Sequence, residues 1–277
     1  MSDVAQPQSR IRVRGGLGSA RYLVTHRKLL TRVVTNDLRQ RYAGSVLGLG
    51  WAFAAPLLVL AIYSVIYLEI FRVKVPNLSS FEYVIYVFCG LVPYLASAEA
   101  IGIGTQAVIT NKSVLNNTVF PIDLAPVKPV LATQAIMLAG MAAVLAGAGA
   151  AHDLHMTLVL LPVIWVANAV WLIGLNWILS LLNVIFRDLQ NLVGAILMVM
   201  LVASPIAYTP DMVPSALKPL LALNPFAYFV VAYQQVIMLG IWPSPAHLAV
   251  LLFMTIATFV LGSWFFARAK RVIVDYV

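Results

Sequence analysis

The sequence predicts an all-α integral membrane protein. It has six transmembrane helices, an N-terminal amphipathic interfacial helix and outer re-entrant helices between the fifth and sixth spans, with both termini cytoplasmic. Three observations predict this class. Of 277 residues, 62% are hydrophobic and only 10% charged, against about 25% charged in a soluble globular domain. Uncharged stretches recur at lengths that cross a hydrocarbon core of about 30 Å, which takes about 20 mostly apolar residues. The net charge of +8 is also unevenly placed: nine of the eighteen Lys and Arg lie in the first 46 residues, and most others flank apolar runs. That placement fits membrane topology and a phospholipid surface better than a nucleic-acid groove. A free cytosolic enzyme is excluded. The single cysteine, Cys89, excludes a disulfide framework and a thiolate zinc cluster.

Residues 1–21 are basic and polar without an apolar core, so a loose tail is expected there rather than a signal peptide. Over 22–42, Leu23, Leu30, Val34 and Leu38 recur at helical spacing, with Arg27, Lys28, Arg32, Arg39 and Arg41 among them. This is the pattern of a basic amphipathic helix on the inner membrane face. The membrane domain occupies 43–277. Charge-free runs place spans over 46–68, 83–111 (interrupted by Glu99), 129–152, 154–186 and 189–210, and near 248–267. The last charge-free run, 219–267, is too long for one helix and is broken by Pro225, Pro243 and Pro245. Charge decides whether 220–242 crosses. With six spans, fifteen basic residues face inward and Arg72, Lys74 and Lys218 outward; a seventh span makes it twelve against six. The cytoplasm collects the positive charge, so 220–242 is expected to be re-entrant or to lie at the outer interface. Irregular backbone at that depth is tolerated only inside protein or beside water.

No lysine follows a glycine, so a phosphate-binding G-x-x-x-x-G-K-[ST] loop is absent, and any ATP that drives the chain binds elsewhere. His26, His152, His155 and His247 are scattered near expected span ends; His152 and His155 share a short outer loop and read as interfacial residues rather than a metal site. Glu99 is the one acid inside an expected span, which marks a functional position unless it sits at the outer boundary. Asn168, Asn176 and Asn183 share a helix face and suit helix packing more than a channel lining. Gly44 and Gly48 form a weak G-x-x-x-G. Tyr63, Tyr67, Tyr83, Tyr86 and Tyr94, with Trp165, Trp171 and Trp177, read mostly as an aromatic belt at the headgroups; the rival reading is a stacked sugar path. Residues 111–128 combine polar residues with Val114, Leu115, Val119 and Phe120 and stop at Pro121. A short amphipathic helix there would dock into a partner's groove.

Taken together, certain motifs resemble a known family. Asn36-Asp37-Leu38-Arg39-Gln40-Arg41-Tyr42 is followed by Ser45, Leu47-Gly48, Trp51 and Pro56. Further on come Phe186-Arg187-Asp188-Leu189, Ser204-Pro205-Ile206-Ala207-Tyr208 and Leu223-Asn224-Pro225. Their order and spacing are similar to the permease subunits of type-2 ABC exporters for cell-surface polysaccharides, closest to the O-antigen branch and related to the capsule and teichoic acid exporters. The resemblance implies a homodimer bound by two separate ATPase subunits, with ATP and magnesium held by those partners and no cofactor on this chain. It implies a lipid-linked polysaccharide substrate and a place in the bacterial inner membrane. Residues 111–125 would be the coupling segment, with Asn116, Thr118, Val119, Phe120 and Asp123 toward the ATPase. Arg27, Lys28, Arg32, Arg39 and Arg41 would meet the substrate's pyrophosphate at the entrance. Tyr63, Tyr67, Glu99, Pro205, Tyr208, Asn224 and Pro225 would serve the channel or its outer gate, the last four within a re-entrant segment over 205–240.

Rival readings are a multidrug or lipid exporter of the same superfamily, an integral-membrane transferase of lipid-linked sugars, and an ion-coupled carrier. The first usually carries a large outer insertion or a fused ATPase, and the sequence has neither. The second needs paired carboxylates at a membrane face, whereas the ten acids are dispersed. The third needs several buried charges and repeats, and only Glu99 is on offer.

Overall fold

The computed structural model describes residues 25–41, 43–51, 78–111, 121–151 and 155–273, with single positions at 23, 54, 57–58, 61–62 and 65–66. The described residues form helices and turns. The helices are α1 (Arg27–Arg41), α2 (Ser80–Thr110), α3 (Val127–Ala150), α4 (Leu161–Ile185), α5 (Leu189–Ala203), α6 (Lys218–Leu223), α7 (Pro225–Gln234) and α8 (Pro245–Ile273). Four of them, with their lead-in turns, are long and apolar enough to cross a membrane: Ser80–Thr110, Ile122–Ala150, Met156–Ile185 and Pro245–Lys270. The pair Ser215–Leu223 and Pro225–Leu239 would make a fifth only if counted as one span, and it bends by 97°. The expected span over 46–68 lies largely outside the described residues.

Each boundary has a local cause. Ser79 and Glu82 form a capping box at the start of α2: the Glu82 N–H donates to Ser79 Oγ (3.3 Å), and the Ser79 N–H donates to the Glu82 carboxylate. The fifth apolar helix is shorter than the sequence pattern over 189–210 suggests. It ends at Ala203 because Pro205 brings no N–H and pushes Ser204 to an extended ψ of 143°. Its 15 residues cover only about 22 Å. At the start of α7, the Asn224 carboxamide oxygen accepts from the Phe226 N–H (3.0 Å) and Pro225 opens the helix. Its far end widens into a π turn, Gln235–Leu239, closed by Gly240 at φ 62°.

Small residues let the long helices touch. A Cβ on Gly262 of α8 would lie 2.1 Å from the Gly174 carbonyl oxygen of α4, and one on Gly174 would lie 2.6 Å from the Phe259 backbone. Between α2 and α4, a Cβ on Gly104 would strike the Asn176 carboxamide at 2.1 Å. Close approach of this kind is how apolar helices associate where lipid competes equally for greasy side chains.

The path of α7 settles where 220–242 goes within the bundle. Phe226 rests on Tyr94 (ring centroids 4.9 Å), Val230 lies against Gly90, and Gln234 Nε2 donates toward the Tyr86 carbonyl (3.5 Å). Numbers rise along α7 as they fall along α2, so α7 climbs back toward the start of α2. Thr157 Oγ1 then donates to the Val236 carbonyl (2.8 Å), and Gly240 packs on the His155 ring, both beside the start of α4. The segment returns to the end of the bundle from which it came. Phe226, its deepest ring, lies fourteen residues or about 21 Å along α2.

Candidate functional site

At one end of the bundle α2 and α4 finish and α3 begins. There Asp123 is buried, and Lys270 Nζ in the last turns of α8 sits 2.7 Å from both of its carboxylate oxygens. The backbone carbonyl of Asp123 accepts from Trp177 Nε1–H of α4 (3.1 Å), and the Trp177 ring packs against Phe259 and Phe266 of α8. One turn on, Lys128 Nζ lies 2.8 Å from Asp37 of α1. The exit of the 112–120 segment is therefore tied to α1, α4 and α8 at once. Both α1 and the last turns of α8 meet this same end.

The stripe predicted on α1 is present, and it faces protein. Leu30 and Val34 are buried, and Leu23 and Leu38 pack partly buried against the core. Arg27, Lys28, Arg32 and Arg39 are exposed on the other side, and Arg41 closes the helix. The resulting surface carries positive charge beside the Asp123 cluster, which suits anionic headgroups.

At the opposite end, 204–240 folds over the starts of α2, α4 and α8. Gln234 Nε2 donates to the Pro205 (3.1 Å) and Ile206 (3.0 Å) carbonyls, and Asn224 Nδ2 donates to Ser204 Oγ (2.9 Å). Tyr83 Oη donates to the Ala207 carbonyl (2.8 Å), and Tyr208 Oη to the Ala203 carbonyl (2.8 Å). His247 Nε2 pairs with the Tyr228 carbonyl (2.9 Å). These bonds hold the irregular backbone that Pro205 and Pro225 create.

Between the two ends runs a buried polar line. Asn168 Oδ1 accepts from Ser97 Oγ of α2 (3.3 Å) and from Gln134 Nε2 of α3 (3.2 Å). Asn176 Nδ2 donates to the Ala100 carbonyl (3.0 Å), and Asn183 Oδ1 accepts from the Gln190 N–H (3.2 Å) at the start of α5. The three asparagines thus join helices. The aromatic belt is corrected for Tyr83, Tyr86, Tyr94, Trp171 and Trp177. All five are 3% exposed or less, because other parts of the chain cover them: Tyr83 meets the Ala207 bend, Tyr86 and Trp171 meet α7, Tyr94 meets α5 and α7, and Trp177 meets α8. Glu99 is exposed and lies nineteen residues into α2, so it marks neither end of that helix. It shares an exposed stripe with Leu95, Ile103 and Gln106.

Pro205, Tyr208, Asn224 and Pro225 come together in one bend, and Glu99 is on a different surface of α2. Asp123 is an internal anchor, not an exposed contact. Asn116, Thr118, Val119, Phe120, Tyr63 and Tyr67 lie outside the described residues. Sequence reasoning passed over Gln134 and Gln234, polar residues inside apolar runs that a search for intramembrane amides would have flagged. It also passed over Lys128 and Lys270, counted only as topology charges. Among the described residues no three His, Cys, Asp or Glu side chains group as metal ligands.

Comparison with known proteins fits this architecture. Residues 28–238 match the family described as ABC-2 type transporter. A protein named O-antigen export system permease protein RfbA from Myxococcus xanthus is 30% identical over 78% of this chain and 82% of its own length. Two from Klebsiella pneumoniae bearing the same name are 29% identical over 77% of this chain and 81% of theirs, and 28% identical over 87% and 92%. With several apolar helices of spanning length and a family match over most of its residues, this multi-pass membrane protein belongs to the ABC-2 type transporter family.

Proposed function

We propose that the chain is the permease subunit of an ATP-driven exporter that moves a lipid-linked polysaccharide of the O-antigen type across the bacterial inner membrane. Two copies would form the channel, each bound by a separate ATPase subunit that holds ATP and magnesium. The observation that carries the reading is the 28–30% identity to O-antigen export permeases over at least 77% of this chain. The permease makes and breaks no bond; its task is to open a polar route through hydrocarbon.

The geometry supports a division of labour. The end holding α1 and the Asp123 cluster faces the cytoplasm in this reading, as positive-inside charge requires. Its exposed Arg27, Lys28, Arg32 and Arg39 attract the pyrophosphate headgroup, and residues 111–125 dock the ATPase through Asn116, Thr118, Val119 and Phe120. Six spans result when 46–68 crosses, α5 counts as a short span and 205–240 turns back at the outer face. That returning segment closes the channel toward the outside, where Tyr208, Asn224 and Pro225 fix its bend. Glu99, with Tyr63 and Tyr67, would serve the water-filled route, since an acid inside a span is a functional position by default.

The test is co-purification in nanodiscs with the product of an adjacent ATPase gene. A two-plus-two complex whose ATP hydrolysis is altered by Phe120→Ala supports the reading. A chain that never retains an ATPase overturns it, and a transferase of lipid-linked sugars would then be assayed first.

A further inference from the structure

A docking segment does work only if its displacement reaches the membrane helices, and its exit is bonded to two of them. Asp123 follows the 112–120 segment by three residues, is buried, and is gripped from two sides. Lys270 Nζ stands equidistant, 2.7 Å, from both carboxylate oxygens, and Trp177 Nε1–H holds the Asp123 carbonyl at 3.1 Å. Lys270 belongs to α8 and Trp177 to α4. These helices are themselves locked, Gly174 against Gly262, with no room for a methyl group between them. A push on Asp123 therefore has two stiff routes into one α4–α8 unit. The second ion pair, Lys128 with Asp37 at 2.8 Å, is more exposed and leads to α1.

We infer that the Asp123–Lys270 pair is the strut that carries movement of the 111–125 segment to α8, with Lys270 as a positioning residue for transport. The inference rests on the docking reading given above. It separates two roles. A structural pair would only keep the helices together. A strut would in addition make the position of α8 follow the nucleotide state of the ATPase.

Because Cys89 is the sole cysteine and is buried, a cysteine placed at exposed Arg268, two residues before Lys270, takes an environment-sensitive maleimide dye selectively. The labelled permease–ATPase complex in nanodiscs is read with and without ATP plus vanadate. Lys270→Gln, Lys270→Arg and Phe120→Ala are compared, and the melting temperature and ATP hydrolysis of each complex are recorded. The expected result is that Lys270→Gln keeps the complex and at least half of its ATP hydrolysis, yet loses most of the ATP-dependent dye response. Lys270→Arg restores that response. If Lys270→Gln melts lower but keeps the full response, the pair is structural only and the strut is overturned while docking stands. If Phe120→Ala leaves complex, hydrolysis and response unchanged, the docking reading falls and the strut falls with it. If Lys270→Gln will not assemble, the swapped variant Asp123→Lys/Lys270→Asp is read instead; a swap that assembles without the response overturns the strut.

Discussion

Gly262 and Asn168 illustrate two ways in which single residues hold helices together without relying on the hydrophobic effect. Gly262 works by absence: the Gly174 carbonyl oxygen occupies the space where its Cβ would be. That obstacle is backbone and cannot rotate aside, so Gly262→Val must part α4 from α8. A cost of about 1–3 kcal/mol is expected, read as a lower melting temperature in detergent. Asn168 works by presence, accepting from both Ser97 and Gln134. Interhelical hydrogen bonds inside membranes average about 0.6 kcal/mol, so Asn168→Ala should cost less than Gly262→Val. The reverse order would mean that the polar line, and not the close backbone approach, dominates cohesion. Asp123→Asn is different in kind, since it leaves the half-buried Lys270 ammonium without its counter-charge. Breaking such a pair from one side costs about 3–5 kcal/mol, toward the low end here because Lys270 is partly exposed, 16% by side chain.

Among the elements, α6 and α7 are held in their bend by few groups. Asn224 both caps α7 and donates to Ser204, where α5 stops. Asn224→Ala removes both bonds, and a loss of about 1 kcal/mol is expected for the cap alone. The effect should be local: faster proteolysis or amide exchange over 205–224, with α2–α4 unchanged. Much of this element was legible beforehand. The prolines and the charge balance marked a segment that is re-entrant or lies at the outer interface, whereas Asn224-Pro225 stood out only as part of the family motif. The early end of α5 was missed: the charge-free run over 189–210 reads as one span, although Pro205 within it forbids a continuous helix. The burial of Tyr83, Tyr86, Tyr94, Trp171 and Trp177 was not legible either. Hydropathy ranks a residue's apolarity without saying whether protein or lipid covers it, and in a bilayer both choices satisfy the same pattern. The two lysine pairs were hidden for a related reason: Lys270 and Asp123 are 147 positions apart, and no local spacing announces such a partner.

At the scale of the whole molecule, charge and apolar surface are divided by location. The exposed basic residues of α1 form one positively charged patch. Replacing Arg27, Lys28 and Arg32 with Gln should weaken binding of the purified protein's 25–41 peptide to phosphatidylserine vesicles by about fivefold per charge, with the loss disappearing at high salt. An unchanged affinity would leave these residues to topology alone. The returning path of 218–239 also has a bearing on how the chain inserts. Turning back leaves the parity of the crossings unchanged, so α8 runs in the sense that delivers Lys270 to the end where Asp123 waits. Had the same stretch gone straight through, α8 would be inverted, and a carboxylate and an ammonium would be stranded on opposite leaflets. Closing the Asp123–Lys270 pair and the return of 218–239 are therefore one geometric condition, met together or not at all.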